Sequence, residues 1–172
     1  MNASAPDPRK TGNLRHRIGS GLVTLVVCAV HASSLVPQQK SAEVELLALH
    51  QNDRRAHFAR DVEALLTTIP PEFISVRDGD IRRQSQDELR KRFTEYFRGV
   101  EFTAWDDLEP PIVHVSPDGQ MGWMIVRVKI SINRSDAAGK QTTENTVMAW
   151  MSAYEKHEGK WQHIANVTTV EP

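Results

Sequence analysis

Cysteine is almost missing from this chain: Cys28 is the one thiol in 172 residues. A lone thiol can build neither an internal disulfide framework nor a multi-cysteine metal site. An excess of one charge is missing too, since 21 Lys and Arg face 22 Asp and Glu for a net charge of −1. No basic field is present to neutralise phosphates, so no nucleic-acid partner is expected. No apolar run reaches the ~20 residues that a membrane-spanning helix needs. There is no phosphate-cradling glycine loop and no Gly-x-Ser-x-Gly elbow, so no nucleotide cofactor and no serine nucleophile are expected. His50 and His57 are two helical turns apart, without a third histidine nearby, and no metal is expected. What remains is ordinary globular composition, 40% hydrophobic and 25% charged, enough for one domain.

The N-terminus differs from the rest. Arg9, Lys10, Arg15 and Arg17 precede a charge-free apolar run over residues 22–30, and small Ala32 and Ser33 follow. A positive region, an apolar region and a small-residue cleavage site, in that order, are the parts of a secretory signal peptide. Residues 1–32 are therefore expected to be a signal, cut after Ala32. The product would be periplasmic or secreted in a bacterium, with no stable membrane span after removal. A lipoprotein signal ending at Cys28 is disfavoured by the β-branched Val27 before it. An uncleaved helix, or a start codon placed too early, is the plain alternative. Removal leaves 140 residues with 17 basic and 21 acidic side chains, net −4, and no cysteine. Such a chain suits an oxidising compartment.

Residues 33–42 read as a short polar tether around Pro37, and 43–172 as a single domain. Residues 42–69 contain no Pro or Gly and are rich in helix formers. Ser41 fits an N-cap, with Glu43 and Glu45 where the helix dipole favours anions. Phe58, Val62, Leu65, Leu66 and Ile69 recur every three or four residues and mark a buried stripe. Pro70 and Pro71 stop the helix. Residues 72–76 form a strand, and Asp78-Gly79 signals a hairpin. Ser85-Gln86-Asp87-Glu88 has the form of a capping box. The helix behind it carries Leu89, Phe93, Tyr96 and Phe97 on one side and ends at Gly99. Strands are expected at 102–107, 112–115, 121–133, 142–156 and 160–170, with turns at Asp118-Gly119, residues 136–139 and Glu158-Gly159. Helix, hairpin, helix and then an antiparallel meander is an α+β pattern.

Strand faces follow from pairing. If Glu158-Gly159 is a two-residue loop, His157 faces Lys160, Tyr154 faces His163, Ser152 faces Ala165 and Trp150 faces Val167. Met124, Val126, Val128, Ile130 and Ile132 form a uniformly apolar row. That row, with Ala149, Met151 and Ile164, is expected against the helices. Trp123, Ile125, Trp150 and Tyr154 then face outward. Three large aromatics on an outward face exceed ordinary scatter. A homodimer contact is the expected explanation, and a loop closed over the face is the alternative.

Several local patterns recur together: Arg55-Ala56-His57-Phe58-x-x-Asp61, Phe73-x-x-Val76-x-x-Gly79-x-Ile81 and Arg92-Phe93-x-x-Tyr96-Phe97. Trp105-Asp106-Asp107, Ser116-x-Asp118-Gly119 and Tyr154-Glu155-Lys156-x-x-Gly159-Lys160-Trp161 complete the set. In this order they resemble the SnoaL-like branch of the nuclear transport factor 2-like superfamily over residues 44–170. The resemblance implies a cystatin-like cone, a curved antiparallel sheet wrapped around N-terminal helices, with a cavity at its open end and frequent dimerisation. It does not imply one activity, because the superfamily holds isomerases, epoxide hydrolases, dehydratases and polyketide cyclases. A ketosteroid-isomerase-like site would need a base carboxylate, a Tyr and a protonated Asp in the cavity. Only Tyr96 and Tyr154 are present, and Tyr154 is expected outside. An epoxide-hydrolase-like set of Asp61, Arg127 and Asn166 fails because Arg127 falls on the outward face. No catalytic residues are carried over from either.

Candidates from the residues themselves are few. His57 and Asp61 are four apart on one helix, so an imidazole oriented by a carboxylate is conceivable as a proton relay. The bland alternative is an exposed helix pair. His50 and Arg54 extend that polar stripe and read as solvated. Asp107, beside Trp105 and before Pro110-Pro111, points into the cavity or serves a turn. His114 and His163 read as structural strand histidines. Asn166 is expected on the helix-facing side, bound to a ligand or to a helix end. It also heads an Asn-Val-Thr glycosylation triplet, discounted because the strand is buried. The expected pocket is Phe58, Val62, Trp105, Val126, Met151 and Asn166, holding a small-molecule ligand of apolar character. An isomerase, dehydratase or hydrolase using His57 with Asp61 or Asp107 is the alternative, and an interaction domain using the outward aromatic face is the third.

Overall fold

The structure, a computed structural model, describes residues 32–135 and 139–171, with side chains from Gln39 onward. Residues 1–31 of the expected signal and the expected turn at Asp136 lie outside the described residues. The elements are α1 (Ala32–Ala59), α2 (Val62–Leu66), β1 (Glu72–Arg77), β2 (Asp80–Ser85), α3 (Gln86–Arg98), β3 (Val100–Asp107), β4 (Ile112–Val115), β5 (Met121–Ser135), β6 (Gln141–His157) and β7 (Lys160–Val170). This is the expected α+β cone. The seven strands form one curved sheet in the order β2-β1-β7-β6-β5-β3, with β4 also paired to β5.

One edge of the sheet departs from the antiparallel expectation. β1 runs parallel to β7, with Ser75 opposite Asn166 and Arg77 opposite Thr168. The remaining pairings are antiparallel. A parallel neighbour needs a long crossover, and here everything from β2 to β6 lies between the two strands. Local sequence carries no signal for such a contact.

The first helical segment is organised differently from its reading. The proposed tether at 33–42 continues α1, and Ser41 lies inside the helix rather than at its N-cap. No residue between 38 and 41 breaks a helix, and Ala42 and Leu46, both fully buried, anchor it against the sheet. The helix then ends early. Arg60 adopts φ 54°, and Asp61 is the N-cap of α2, its Oδ1 accepting from the Ala64 N–H at 3.0 Å. An Asp ahead of Val-Glu-Ala-Leu competes for a new helix start, and the cap wins over continuation. The expected stripe therefore splits: Leu65, Leu66 and Ile69 are buried, whereas Phe58 is 40% exposed. The capping box is present as read, with Ser85 and Glu88 satisfying one another's backbone N–H groups.

The apolar row of β5 does face the helices, with Val128 and Met124 almost fully buried. Its partners on β6 are not the expected ones. Met124 lies opposite Ser152, Val126 opposite Trp150 and Gly122 opposite Tyr154. Trp150 and Tyr154 are thus on the concave side, not in the outward face with Trp123 and Ile125. Met151 moves the other way and is 41% exposed on the convex side. A one-residue change of register exchanges the two faces of a strand, and the β5–β6 connection that sets it is not legible in composition. The β6–β7 hairpin holds as read at His157–Lys160 and Tyr154–His163. Beyond these, Ile164 is an extra residue in β7, so Ser152 pairs with Asn166 and Trp150 with Thr168 rather than with Ala165 and Val167. Such a bulge re-aims the side chains that follow it.

Candidate functional site

Between the helices and the concave face of the sheet lies a cavity of about 820 Å³. That is in the range of small-molecule pockets, ~300–1,000 Å³. Its wall includes an aromatic and apolar part formed by Phe102, Trp105, Met124, Ile130, Trp150 and Tyr154. Alternation explains the polar groups set among them. On β6 the inward row is Glu144, Thr146, Met148, Trp150, Ser152 and Tyr154, and on β7 the bulge turns Asn166 and Thr168 inward. A second depression of about 810 Å³ runs along α3 and β5, but charged side chains such as Lys91, Glu95 and Arg98 line it.

The most unusual group is His163. Its ring stacks on Tyr154 with centroids 4.9 Å apart and meets Phe73 edge-on at 5.0 Å. Burial drives its pKa down to about 4, opposed by the charge of Asp53 and by a hydrogen bond to the Ala165 backbone. Nε2 is buried and has no partner among the described residues. At neutral pH His163 is therefore an uncharged imidazole. Burial likewise raises the pKa of the Tyr154 phenol above its ordinary value, with Ser152 opposing and the Asp53 charge adding to the rise. Asp53, on α1, is thus the acid whose charge acts on both groups. Trp105 Nε1 is the second buried polar side-chain atom without a partner among the described residues, an N–H donor rather than an acceptor.

His57 lines the same cavity, enclosed by the rings of Phe93, Phe97, Phe102 and Trp105 at 5.1 to 6.3 Å. Its Nδ1–H donates to the Asp53 carbonyl at 2.8 Å. It does not pair with Asp61, which is exposed and occupied as the α2 cap, nor with Asp107. The partner of Asp107 is His50, taken in the sequence for a solvated residue. His50 Nε2 lies 2.9 Å from Asp107 Oδ1, and the imidazole is only 2% exposed. His50 is also ringed by Trp105 and Trp150, each at 6.3 Å.

Of the expected pocket residues, Trp105 and Asn166 line the cavity. Val126 is in the packed core and Val62 bridges the two core clusters. Phe58 lies outside, against the Phe102 ring and under the Arg54 guanidinium. Met151 faces away. Asn166, turned inward, is no accessible glycosylation acceptor. Sequence reading missed Asp53 and His163 as cavity groups, and the hairpin pairing of His163 with Tyr154 was the available signal for the second of them.

No family model and no curated protein sequence matches the chain. Solved structures do. A nuclear transport factor 2-like protein from Cytophaga hutchinsonii is 13% identical with a TM-score of 0.60, over 74% of this chain and 97% of that one. A ketosteroid isomerase-like protein from Erwinia carotovora atroseptica is 19% identical with a TM-score of 0.59, over 76% and 96%. An uncharacterized protein with a cystatin-like fold from Caulobacter vibrioides is 16% identical with a TM-score of 0.58, over 77% and 91%. The fold is that of the nuclear transport factor 2-like, cystatin-like proteins. At these identities the likeness concerns the fold, and function has to be argued from the site.

Proposed function

We propose that this chain binds a small, largely apolar molecule in the cavity between α1, α3 and the concave sheet. The observation that carries this is the pair of buried polar atoms that have no partner among the described residues, Trp105 Nε1 and His163 Nε2, in a cavity whose wall sets aromatic rings among polar side chains. An unsatisfied buried donor or acceptor costs about 1–3 kcal/mol. A ligand offering one acceptor and one donor relieves both. Native mass spectrometry of the protein from its own host tests the reading, because it retains a bound molecule. The protein should carry a small molecule, and Thr168→Trp, which fills the cavity, should release it. An empty protein that no small aromatic molecule stabilises against heat overturns the proposal.

A specific observation favours a second reading, acid–base catalysis of isomerase, dehydratase or hydrolase type. His163 is held neutral with an unpartnered Nε2, stacked on the Tyr154 ring and within the influence of the Asp53 charge. A poised base beside a phenol is the equipment of proton transfer within an apolar site. The pairs drawn first, His57 with Asp61 or Asp107, do not carry it.

Two further proposals complete the picture. The order of basic, apolar and small residues before Ser33 supports export to the periplasm or beyond, checked by N-terminal sequencing of the protein from cell fractions. On the convex face, Ile112, Ile125, Met151 and Val167 are all at least 36% exposed and flank Trp123. An apolar patch of this kind marks an interaction surface, and we assign it to a second copy of the chain.

A further inference from the structure

The cavity mouth carries an unusual arrangement of arginines. Arg83, Arg90, Arg98 and Arg134 are each held by a glutamate at 2.5 to 2.9 Å. Arg77, Arg82 and Arg92, which line the cavity, are not. Arg77 reaches the neighbouring turn residue Asp78 at 3.3 Å, and Arg82 reaches Asp80 at 3.6 Å, all four side chains being more than half exposed. Exposed pairs of this kind are weak. Arg92, from α3, has no carboxylate within salt-bridge distance among the described residues. It donates from Nη1 to the neutral Gln84 amide oxygen at 3.0 Å, and the same oxygen accepts from Ser75 Oγ at 3.3 Å. Desolvation, then the like charges of Arg82 and Arg77, push the Arg92 pKa below its usual value. Asp78 and Asp80 line the cavity with their arginines, Arg134 and Glu144 pair with one another at 2.8 Å, and Asp53 of α1 lines it as well.

Strand geometry causes the convergence. Ser75 and Arg77 on β1 lie opposite Arg82 and Asp80 on β2, so one inward row of the hairpin presents both guanidiniums. The capping box at Ser85 starts α3 directly after β2, and Arg92 lies two turns along it, back over Gln84. Three guanidiniums against the two exposed aspartates Asp78 and Asp80 leave an excess of positive charge at this rim. An anion placed among them offsets it, and a planar carboxylate matches the guanidinium fork.

We infer that the cavity takes an amphipathic organic carboxylate, its aromatic or alicyclic body against Trp105 and Trp150 and its carboxylate at Arg92, with Arg77 and Arg82 beside it. This rests on the cavity being a binding site. Calorimetric titration with naphthoate and with its uncharged methyl ester separates the two ideas. The wild-type protein should bind naphthoate at least about tenfold more tightly than the ester, the scale of one charge-assisted hydrogen bond. Arg92→Gln should remove that preference, whereas Arg83→Gln, on the other face of β2, should keep it. Equal affinity for both probes in the wild-type protein overturns the carboxylate inference and leaves the cavity reading standing. A preference that survives in Arg92→Gln also overturns it. Binding of neither probe removes both. Circular dichroism melts of the two variants, matched to wild type, establish that lost preference is not lost folding.

Discussion

His50 and Asp107 meet side chain to side chain at 2.9 Å, joining the middle of α1 to the end of β3 across 57 residues of chain. The imidazole is buried between two tryptophans, so its N–H has no water to turn to. Asp107→Ala strands that donor and should lower stability by about 1–3 kcal/mol. Asp61→Ala removes only an exposed helix cap, about 1 kcal/mol. Urea unfolding of the two variants checks the order. An Asp107→Ala protein as stable as the wild type would remove His50–Asp107 from the list of structural links.

His163 predicts an acid-sensitive fold. Its pKa falls from an ordinary 6.5 to about 4 in the folded protein. The unfolded chain therefore binds the proton more readily, and stability is lost as pH falls from the unfolded value toward the folded one. The loss from this group approaches roughly 3 kcal/mol at pH 4. Melting temperatures of the wild type and His163→Phe, followed from pH 7.5 to 4.5, should show the wild type losing stability relative to the variant on acidification. Parallel curves would show that His163 is not the group responsible.

Gly122 predicts a steric limit where α1 crosses the sheet. A Cβ there would lie 2.8 Å from Leu46 Cδ1 and 3.1 Å from the His114 carbonyl oxygen. Leu46 is fully buried and the carbonyl is backbone, so neither yields freely. Gly122→Ala should cost about 1–3 kcal/mol, as overpacking does. Thermal unfolding measures this, and an unchanged melting temperature would place α1 further from β5.

The convex patch predicts an association that one charge abolishes. Ile125→Asp places a carboxylate among Ile112, Met151 and Val167. Sedimentation velocity should find a dimer in the wild type and a monomer in the variant. A monomeric wild type at tens of micromolar would leave that face to another partner.

Local pattern carried much of the architecture. Ser85 and Glu88 announced α3, Asp78-Gly79 and Glu158-Gly159 announced hairpins, and the even-numbered residues from Met124 to Ile132 announced the buried face of β5. Each of these depends on neighbours a few residues apart, so a linear text contains the information. The inward Trp150, the extra Ile164, the parallel contact of β1 with β7 and the pairing of His50 with Asp107 depend on register and on distant contacts. A strand's two faces are equivalent until a neighbour chooses one, and β6, with mixed rows on both sides, left that choice to packing. Composition had already limited the chemistry to a domain without thiols or phosphate loops. Which imidazole is buried with a free nitrogen, and which arginines gather at the rim, was decided by how the sheet closes around its helices.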